Sequence, residues 1–391
     1  MSRDYSGSLL ELRPMPTSPT GSLLVDHQLE ALFGSGVAVA PNAPALDPTQ
    51  VQPASLDLRL GARAQRLQAG FLPGAVSVER RIADLGLESL DLDGDGARFE
   101  RGAVYLVELE EQLDLAPDLR ARFNPRSSTG RCDIFTRVLA SGHPRFDEAP
   151  PGYCGKLWVE VSPLSFSVRL RRGDCLGQMR LQRGRPELNR QQVFAVQERT
   201  PLCFDGSRAL DKRELEIDQE GCLELTLGLA GRDPAGWKAR SGAPELNFSS
   251  RAVHAIGDFW EAVSGPCNSA LLEPESFYIF ASRERLRIPP TLAAEMLPVD
   301  VGLGEVRNNY AGFFDNGFGW HPDEHGQPLE RGTPAVLEVR AHDVPFLVEE
   351  GQPFCRLQFF ASDGEPGAIY GAGRRAASYQ DQDLTLARPF R

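Results

Sequence analysis

Two arginines, two serine hydroxyls and a glycine fall within Asn124-Pro125-Arg126-Ser127-Ser128-Thr129-Gly130-Arg131, where extended apolar segments meet. That composition suits an anion. Ser127 and Ser128 can each donate a hydroxyl hydrogen bond, Arg126 offers a planar two-pronged donor, and Gly130 lets the backbone approach a bulky ligand. A triphosphate wants such surroundings; the plainer alternative is a surface turn whose arginines are solvated. From Asp118 to Arg131 the chain places four arginines (Arg120, Arg122, Arg126, Arg131) and one acid. This basic island sits in a chain of net charge -12 and pI near 5.1, which argues against broad nucleic-acid or anionic-membrane binding. An anion must therefore be held locally.

The elements around this stretch read as mostly β. Leu56, Leu58 and Leu60 alternate with Asp57 and Arg59, the pattern of a half-buried strand. Short strand-like runs follow at Val104–Leu109, Gly155–Val161, Phe166–Leu170 and Leu176–Leu181, separated by Gly, Pro and Asp, as in a barrel or distorted sandwich. One short helix is expected between Ser22 and Phe33. With 391 residues, 41% of them hydrophobic and 25% charged, the chain is long enough for two cores.

An internal repeat supports two. Leu56–Gly61 returns as Leu223–Gly228 at an offset of 167, and Val104-Tyr105-Leu106 as Phe277-Tyr278-Ile279 at 173. Leu157–Val161 returns as Ala335–Val339 at 178, and Arg172–Met179 as Glu350–Leu357. Four collinear matches with a slowly drifting offset imply tandem copies of one fold. The expected organisation is a flexible N-terminus at 1–20, a first domain at 21–204, a second at 205–373 and a tail at 374–391.

The seven cysteines are scattered and never form a C-x-x-C pair, which disfavours a disulfide framework or structural zinc. There is no basic segment leading into an apolar run and nothing near the ~18 apolar residues of a membrane span, so a cytoplasmic protein with no membrane partner is expected.

In this order the motifs resemble the dCTP deaminases of the dUTPase-like superfamily, whose single-copy members have about half this length. The family's Ser-Leu-Asp-Leu-Arg-Leu-Gly strand reads Ser55–Gly61, its Arg-Ser-Ser-x-x-Arg motif Arg126–Arg131, and its Asp-Pro-Gly-aromatic-x-Gly turn ends in Pro151-Gly152-Tyr153-Cys154-Gly155. Its Leu-Glu-Phe strand reads Val159-Glu160-Val161, and its Tyr-x-x-Gln tail Tyr379-Gln380-Asp381-Gln382. The resemblance implies two tandem dUTPase-like barrel or distorted-sandwich domains with short helices, acting on dCTP to give dUTP and ammonia in pyrimidine deoxynucleotide supply.

Hydrolytic deamination needs a water made nucleophilic against C4, a proton for N3 and another for the departing amine, and one carboxylate can carry all three. By resemblance that carboxylate is Glu160; on pattern alone Glu160 reads as the outward half of an alternating strand. Arg131 and Ser127 would position the water, and Arg126 and Ser128 would grip phosphates. Asp147, displaced by the inserted Glu148-Ala149-Pro150, matches the sugar-contacting aspartate. Tyr153 joins it at the turn, and Tyr379 and Gln382 belong to a flap over the nucleotide; Gln178 reads either as a phosphate or ribose contact or as a strand-end side chain in water. The family's tail lysine is Ser378 here, with Arg374 or Arg375 as substitutes. The second copy has Leu297–Gly302 in place of the Arg-Ser-Ser motif, so Glu338, though retained, is expected to be silent. Related proteins imply a homo-oligomer, with a trimer of tandem chains expected and a pseudo-symmetric ring as the alternative. Alternatives are a dUTP diphosphatase or bifunctional deaminase-diphosphatase, and a non-catalytic nucleotide-binding regulator.

Zinc deaminases need H-x-E with P-C-x-x-C, and neither occurs. His321-Pro322-Asp323-Glu324-His325 reads as a loop. Mg2+ is expected to arrive on the nucleotide phosphates. Metal analysis should accordingly find no stoichiometric zinc, and activity lost to a chelator should return with Mg2+ alone. A tightly held zinc that Mg2+ cannot replace would contradict this reading.

Overall fold

The computed structural model describes residues 19–72, 74, 76–264, 268–298, 306–308, 312–321, 329, 331–341, 343–372, 379–380 and 382–391. Two large antiparallel sheets dominate it. In the first, the order runs Ile134–Ala140, Cys154–Pro163, Val104–Asp114, Leu56–Leu67, Cys175–Arg183, Leu119–Pro125. In the second, Thr333–Ala341 pairs Phe277–Leu286, followed by Leu223–Gly228, Pro353–Ala361 and Leu292–Pro298. The second order repeats the last five strands of the first.

The repeat extends to single hydrogen bonds. Tyr105 Oη accepts from the Glu100 amide at 2.9 Å, and Tyr278 Oη from the Glu273 amide at 2.8 Å. The Gly173 amide donates to Leu60 O, and the Gly351 amide to Leu227 O, both at 2.8 Å. Glu160 lies opposite Leu106, and Glu338 opposite Ile279, in corresponding strands. The two carboxylates therefore hold equivalent places in the two copies.

Some expectations need correction. The stretch 56–61, expected to be half-buried, is buried on both faces, Asp57 and Arg59 with the leucines around them, and exposure begins only at Ala62. A buried charge needs a partner, and Glu111 supplies it, receiving Arg59 Nε at 2.7 Å and the Arg59 amide at 2.8 Å. The first helix is only Asp26–Ala31, because Ser22–Leu23 is drawn into a strand against Arg183 and Gln182. The helix Arg190–Arg199, missed by pattern, starts at a capping box in which Asn189 and Gln192 exchange side-chain and backbone hydrogen bonds. No helix among the described residues is long and apolar enough to cross a membrane.

The chain's last residues return to the first core. Leu386, Ala387 and Phe390 are buried there, and the Phe390 ring stands edge-on to Phe259, Trp260 and Phe166 with centroids 5.3, 5.6 and 6.5 Å away. The His254 amide donates to Pro389 O at 2.9 Å, and the Arg391 amide to His254 O at 2.9 Å. The segment expected to be a flap is thus anchored beyond Gln382, while 373–378, including Arg374, Arg375 and Ser378, lies outside the described residues. Phe390→Ala should cost about 3 kcal/mol by emptying a packed aromatic site. A lowered urea midpoint would show it, and an unchanged one would mean that the ring is not part of the core.

Candidate active site

The strand Leu119–Pro125 runs into a single helical turn, Ser127–Gly130, with Arg126 at its N-cap. Two bonds pin this corner to the neighbouring strand: the Arg126 amide and Thr129 Oγ1 both donate to Leu176 O, at 2.9 and 2.7 Å. The corner forms one wall of a cleft whose other wall comes from the second copy. Gly130 is where the walls touch. A Cβ there would lie 2.1 Å from Glu338 Oε2, so a larger residue would displace the carboxylate.

Glu338 is 6% exposed and Arg131 3%. Burial pushes the Glu338 carboxyl well above the usual carboxylate range; Arg131 pulls it down and Asp133 pushes it further up. Glu338 Oε2 and Arg131 Nε are both buried without a hydrogen-bond partner among the described residues. The rest of the Arg131 guanidinium is held by the tail, with Nη1 donating to Thr385 O at 2.8 Å and Nη2 to Gln382 Oε1 at 2.6 Å. The Tyr379 ring covers it at 3.8 Å, and Tyr379 Oη lies 2.9 Å from Ser128 Oγ.

Farther along the cleft, Arg126 Nη1 is 3.2 Å from Asp57 Oδ2. Asp315 comes from the second copy and is fully enclosed. Its Oδ1 accepts from the Ala54 amide at 2.9 Å and lies 3.3 Å from Ser55 Oγ, which is also 3.2 Å from Gln178 Oε1. Phe313, Phe314 and Phe318 add apolar surface.

Of the residues expected from sequence, Arg126, Ser127, Ser128, Arg131, Gln178, Tyr379 and Gln382 meet in this cleft. Glu160, Asp147 and Tyr153 do not. The Glu160 carboxylate lies beside Arg137 and the Phe71 backbone, packed against Gly70, where an added Cβ would sit 2.4 Å from Oε2. Asp147 Oδ1 accepts from the Val138 amide at 2.8 Å and steadies a strand crossing. Tyr153 Oη accepts from the Ser141 amide at 2.8 Å and donates to Lys156 O at 2.6 Å, a satisfied structural hydroxyl.

Besides Asp57 at Arg126, two carboxylates line the cleft, Glu338 beside Arg131 and Asp315 at Ser55, and both come from the second copy. The expectation that Glu338 has only Leu297–Gly302 of its own copy for company is corrected in its geometry: Gly130 and Arg131 of the first copy lie beside it. A signal was present. Asp315-Asn316-Gly317-Phe318 has the acid, glycine and aromatic of the turn motif at uninterrupted spacing, unlike the region around Asp147.

The family model described as the 2'-deoxycytidine 5'-triphosphate deaminase N-terminal domain matches residues 20–185, and that for the C-terminal domain matches 195–390. A crystal structure of 2'-deoxycytidine 5'-triphosphate deaminase from Agrobacterium tumefaciens superposes with a TM-score of 0.78 at 39% identity, covering 89% of this chain and 99% of that one. A dCTP deaminase of Halorubrum lacusprofundi is 34% identical over 116 residues, 29% of this chain and 54% of the relative. A dUMP-forming dCTP deaminase of Thermobifida fusca is 29% identical over 161 residues, 40% of this chain and 76% of the relative. The chain spans about half the length of the first curated relatives it matches.

Asp315 gives the cleft a pH signature. Burial pushes its carboxyl up to about 7; the Ala54 amide and Ser55 pull it down, and Asp57 opposes them. The native state therefore keeps a proton that the unfolded chain releases near pH ~4. The stability gained from that proton is fully present below ~4 and is lost as pH rises through about 7. The stability advantage of wild type over Asp315→Asn should shrink across that window in urea titrations. A difference independent of pH would contradict the assignment.

Proposed function

The chain belongs to the 2'-deoxycytidine 5'-triphosphate deaminase family, and from that premise we propose that it deaminates dCTP hydrolytically in the cleft between its two copies. The observation that carries this reading is the buried meeting of Glu338 with Arg131, each with an atom left unpartnered. A buried carboxyl oxygen and a guanidinium Nε without hydrogen bonds among the described residues cost stability in the free protein. A cytosine ring and a water between them would satisfy both.

The proton steps balance through Glu338 alone. Its raised pKa lets it enter protonated and give its proton to N3. The resulting carboxylate takes a proton from water as the oxygen attacks C4. That proton passes to the C4 amine, ammonia leaves, and the remaining hydroxyl proton returns to Glu338 as the C4 carbonyl forms. Arg131 and Ser127 orient the water and the developing oxyanion, as donors fixed in advance do. Arg126 and Ser128 take phosphate oxygens. Tyr379 and Gln382, already over Arg131, exclude bulk water.

Mg2+ would enter on the triphosphate, where it offsets phosphate charge. Asp57 Oδ1, buried and without a hydrogen bond among the described residues, is a hard oxygen that fits it. No proton step runs through the metal. Because Thermobifida fusca has a dUMP-forming relative, product analysis must separate dUTP from dUMP.

Glu338→Gln should lower kcat at least about a hundredfold, the scale of a lost general acid-base group, while dCTP binding persists. Glu160→Gln should stay within about threefold of wild type, because a remote carboxylate makes no transition-state interaction. The opposite pattern would return the shuttle to the first copy.

A further inference from the structure

The contact between the two copies is heterologous: one offers a sheet face and the other a corner. Phe277, Ile279 and Val336, on the face that carries Glu338, belong to the first copy's core together with Phe259 and Trp260. On the corner, Phe166 stands edge-on to Phe259 and Trp260 at 5.2 and 5.5 Å, and Arg169 Nε donates to Glu245 Oε1 at 2.7 Å. Leu246–Asn247 of the second copy adds a parallel strand beside Val168 and Arg169. The repeat gives each copy both a face and a corner, so one of each is left over in the chain. Heterologous contacts build rings or open filaments unless something stops them.

The left-over corner, on the second copy, is open. At the offset of 178, Phe166 and Arg169 correspond to Val344 and Leu347, and Leu347 lies opposite Leu271 in the strand pair. Val344, Leu347 and Leu271 are 59, 54 and 62% exposed. The left-over face, on the first copy, is closed. Val104, Leu106 and Trp158, the counterparts of Phe277, Ile279 and Val336, pack with Phe71, Val78, Ile82 and Leu85. The covering segment has a counterpart as well. Residues 68–85 join Leu67 to its pairing partner Gly86, as 240–259 join Ala239 to Trp260, and the preceding residues Arg66 and Lys238 pair with the equivalent Tyr105 and Tyr278. From 240–259, Leu246, Phe248 and Phe259 reach out to the first copy. The segment 68–85 instead folds back over its own sheet and lays Gly70 against Glu160. Its helix Val78–Leu85 suits a cover: Ser77 Oγ accepts from the Arg80 amide at 3.2 Å, Val78 and Ile82 point to the sheet, and Glu79, Arg80 and Asp84 are exposed. Leu72 and Val76, in the loop before it, stay exposed. We propose that residues 68–85 are an assembly cap. They occupy the face on which Val344, Leu347 and Leu271 of a second copy of this chain would otherwise seat, and so keep the inter-copy contact from being repeated between chains.

The test is sedimentation velocity on the full chain as concentration is raised. Replacing 68–85 by Asn-Gly, a dipeptide that suits a two-residue hairpin turn, leaves Leu67 and Gly86 paired and removes the cap. The weight-average mass of this variant should climb with concentration to at least about twofold that of wild type, since a heterologous contact does not stop at one pairing. Adding Leu271→Lys and Leu347→Lys should return it to the wild-type value, and the same two substitutions in the capped chain should change nothing. If the cap-less chain does not fold, Ile82→Lys, which undocks the helix without shortening the chain, is read in the same way. A folded cap-less or Ile82→Lys chain that associates no more than wild type overturns the proposal. So does association that persists in the presence of Leu271→Lys and Leu347→Lys, which would be unspecific adhesion of a bared apolar face. Association of the wild-type chain that these two substitutions abolish would also overturn it, because the contact would then be repeated with the cap in place.

Discussion

A buried ion pair between Asp133 of the first copy and Arg340 of the second fixes the geometry on which the cleft depends. Asp133 lies two residues beyond Arg131, and Arg340 two beyond Glu338. Glu338 and Arg340 share a face of the strand Thr333–Ala341, so joining Arg340 to Asp133 in the turn before Ile134–Ala140 brings Glu338 onto Gly130 and beside Arg131. Ser165 Oγ adds a hydrogen bond to Asp133 at 2.6 Å. Such a pair contributes little net stability against an apolar equivalent, but removing one partner typically costs about 3–5 kcal/mol. Its value here is register: it determines which carboxylate meets which arginine. A second inter-copy lock has the same character. Arg180 reaches Glu295 at 2.9 Å and Asn124 at 2.6 Å, with its guanidinium over the Phe313 ring. It holds the strand that leads into Arg126.

Tandem duplication let the two copies lose complementary parts. The first retains the Arg-Ser-Ser corner, and its Glu160 is closed off by Gly70 and Phe71. The helix Val78–Leu85 follows that segment, and Val78 packs with Leu106, Leu139 and Trp158 on the same side of the sheet. The second copy has apolar residues at Leu297 and Pro298 but keeps Glu338 and Asp315. The Arg-Ser-Ser corner and Glu338 thus line the described cleft from different copies.

The strands and the repeat were legible because both rest on local pattern. Alternating leucines at 56–60 and 223–227 mark the same strand, and collinear offsets identify the copies without any knowledge of packing. The arginines, serines and tail residues were legible for the same reason, as compact motifs. The proposed proton carrier was not. Glu160 in Val-Glu-Val and Glu338 in Leu-Glu-Val sit in similar apolar strands, and what separates them is whether the opposing wall is Gly130 beside Arg131 or Gly70 of the same copy. That is a tertiary fact. Asp57 and Arg59 misled in a related way: alternation with leucine usually means exposure, yet Glu111 and Arg126 make their burial possible. Phe390 gave no local signal, since the rings it stands against, Phe166, Phe259 and Trp260, lie more than a hundred positions away.

The central claim is that one catalytic centre is built across the copies. The most direct measurement is a crystal structure of the Glu338→Gln protein with dCTP. The account predicts one nucleotide per chain, its cytosine C4 and N3 within hydrogen-bonding reach of the side chain at position 338, and Arg131 on the opposite side. A cytosine seated against Glu160, or a nucleotide in each copy, would contradict it.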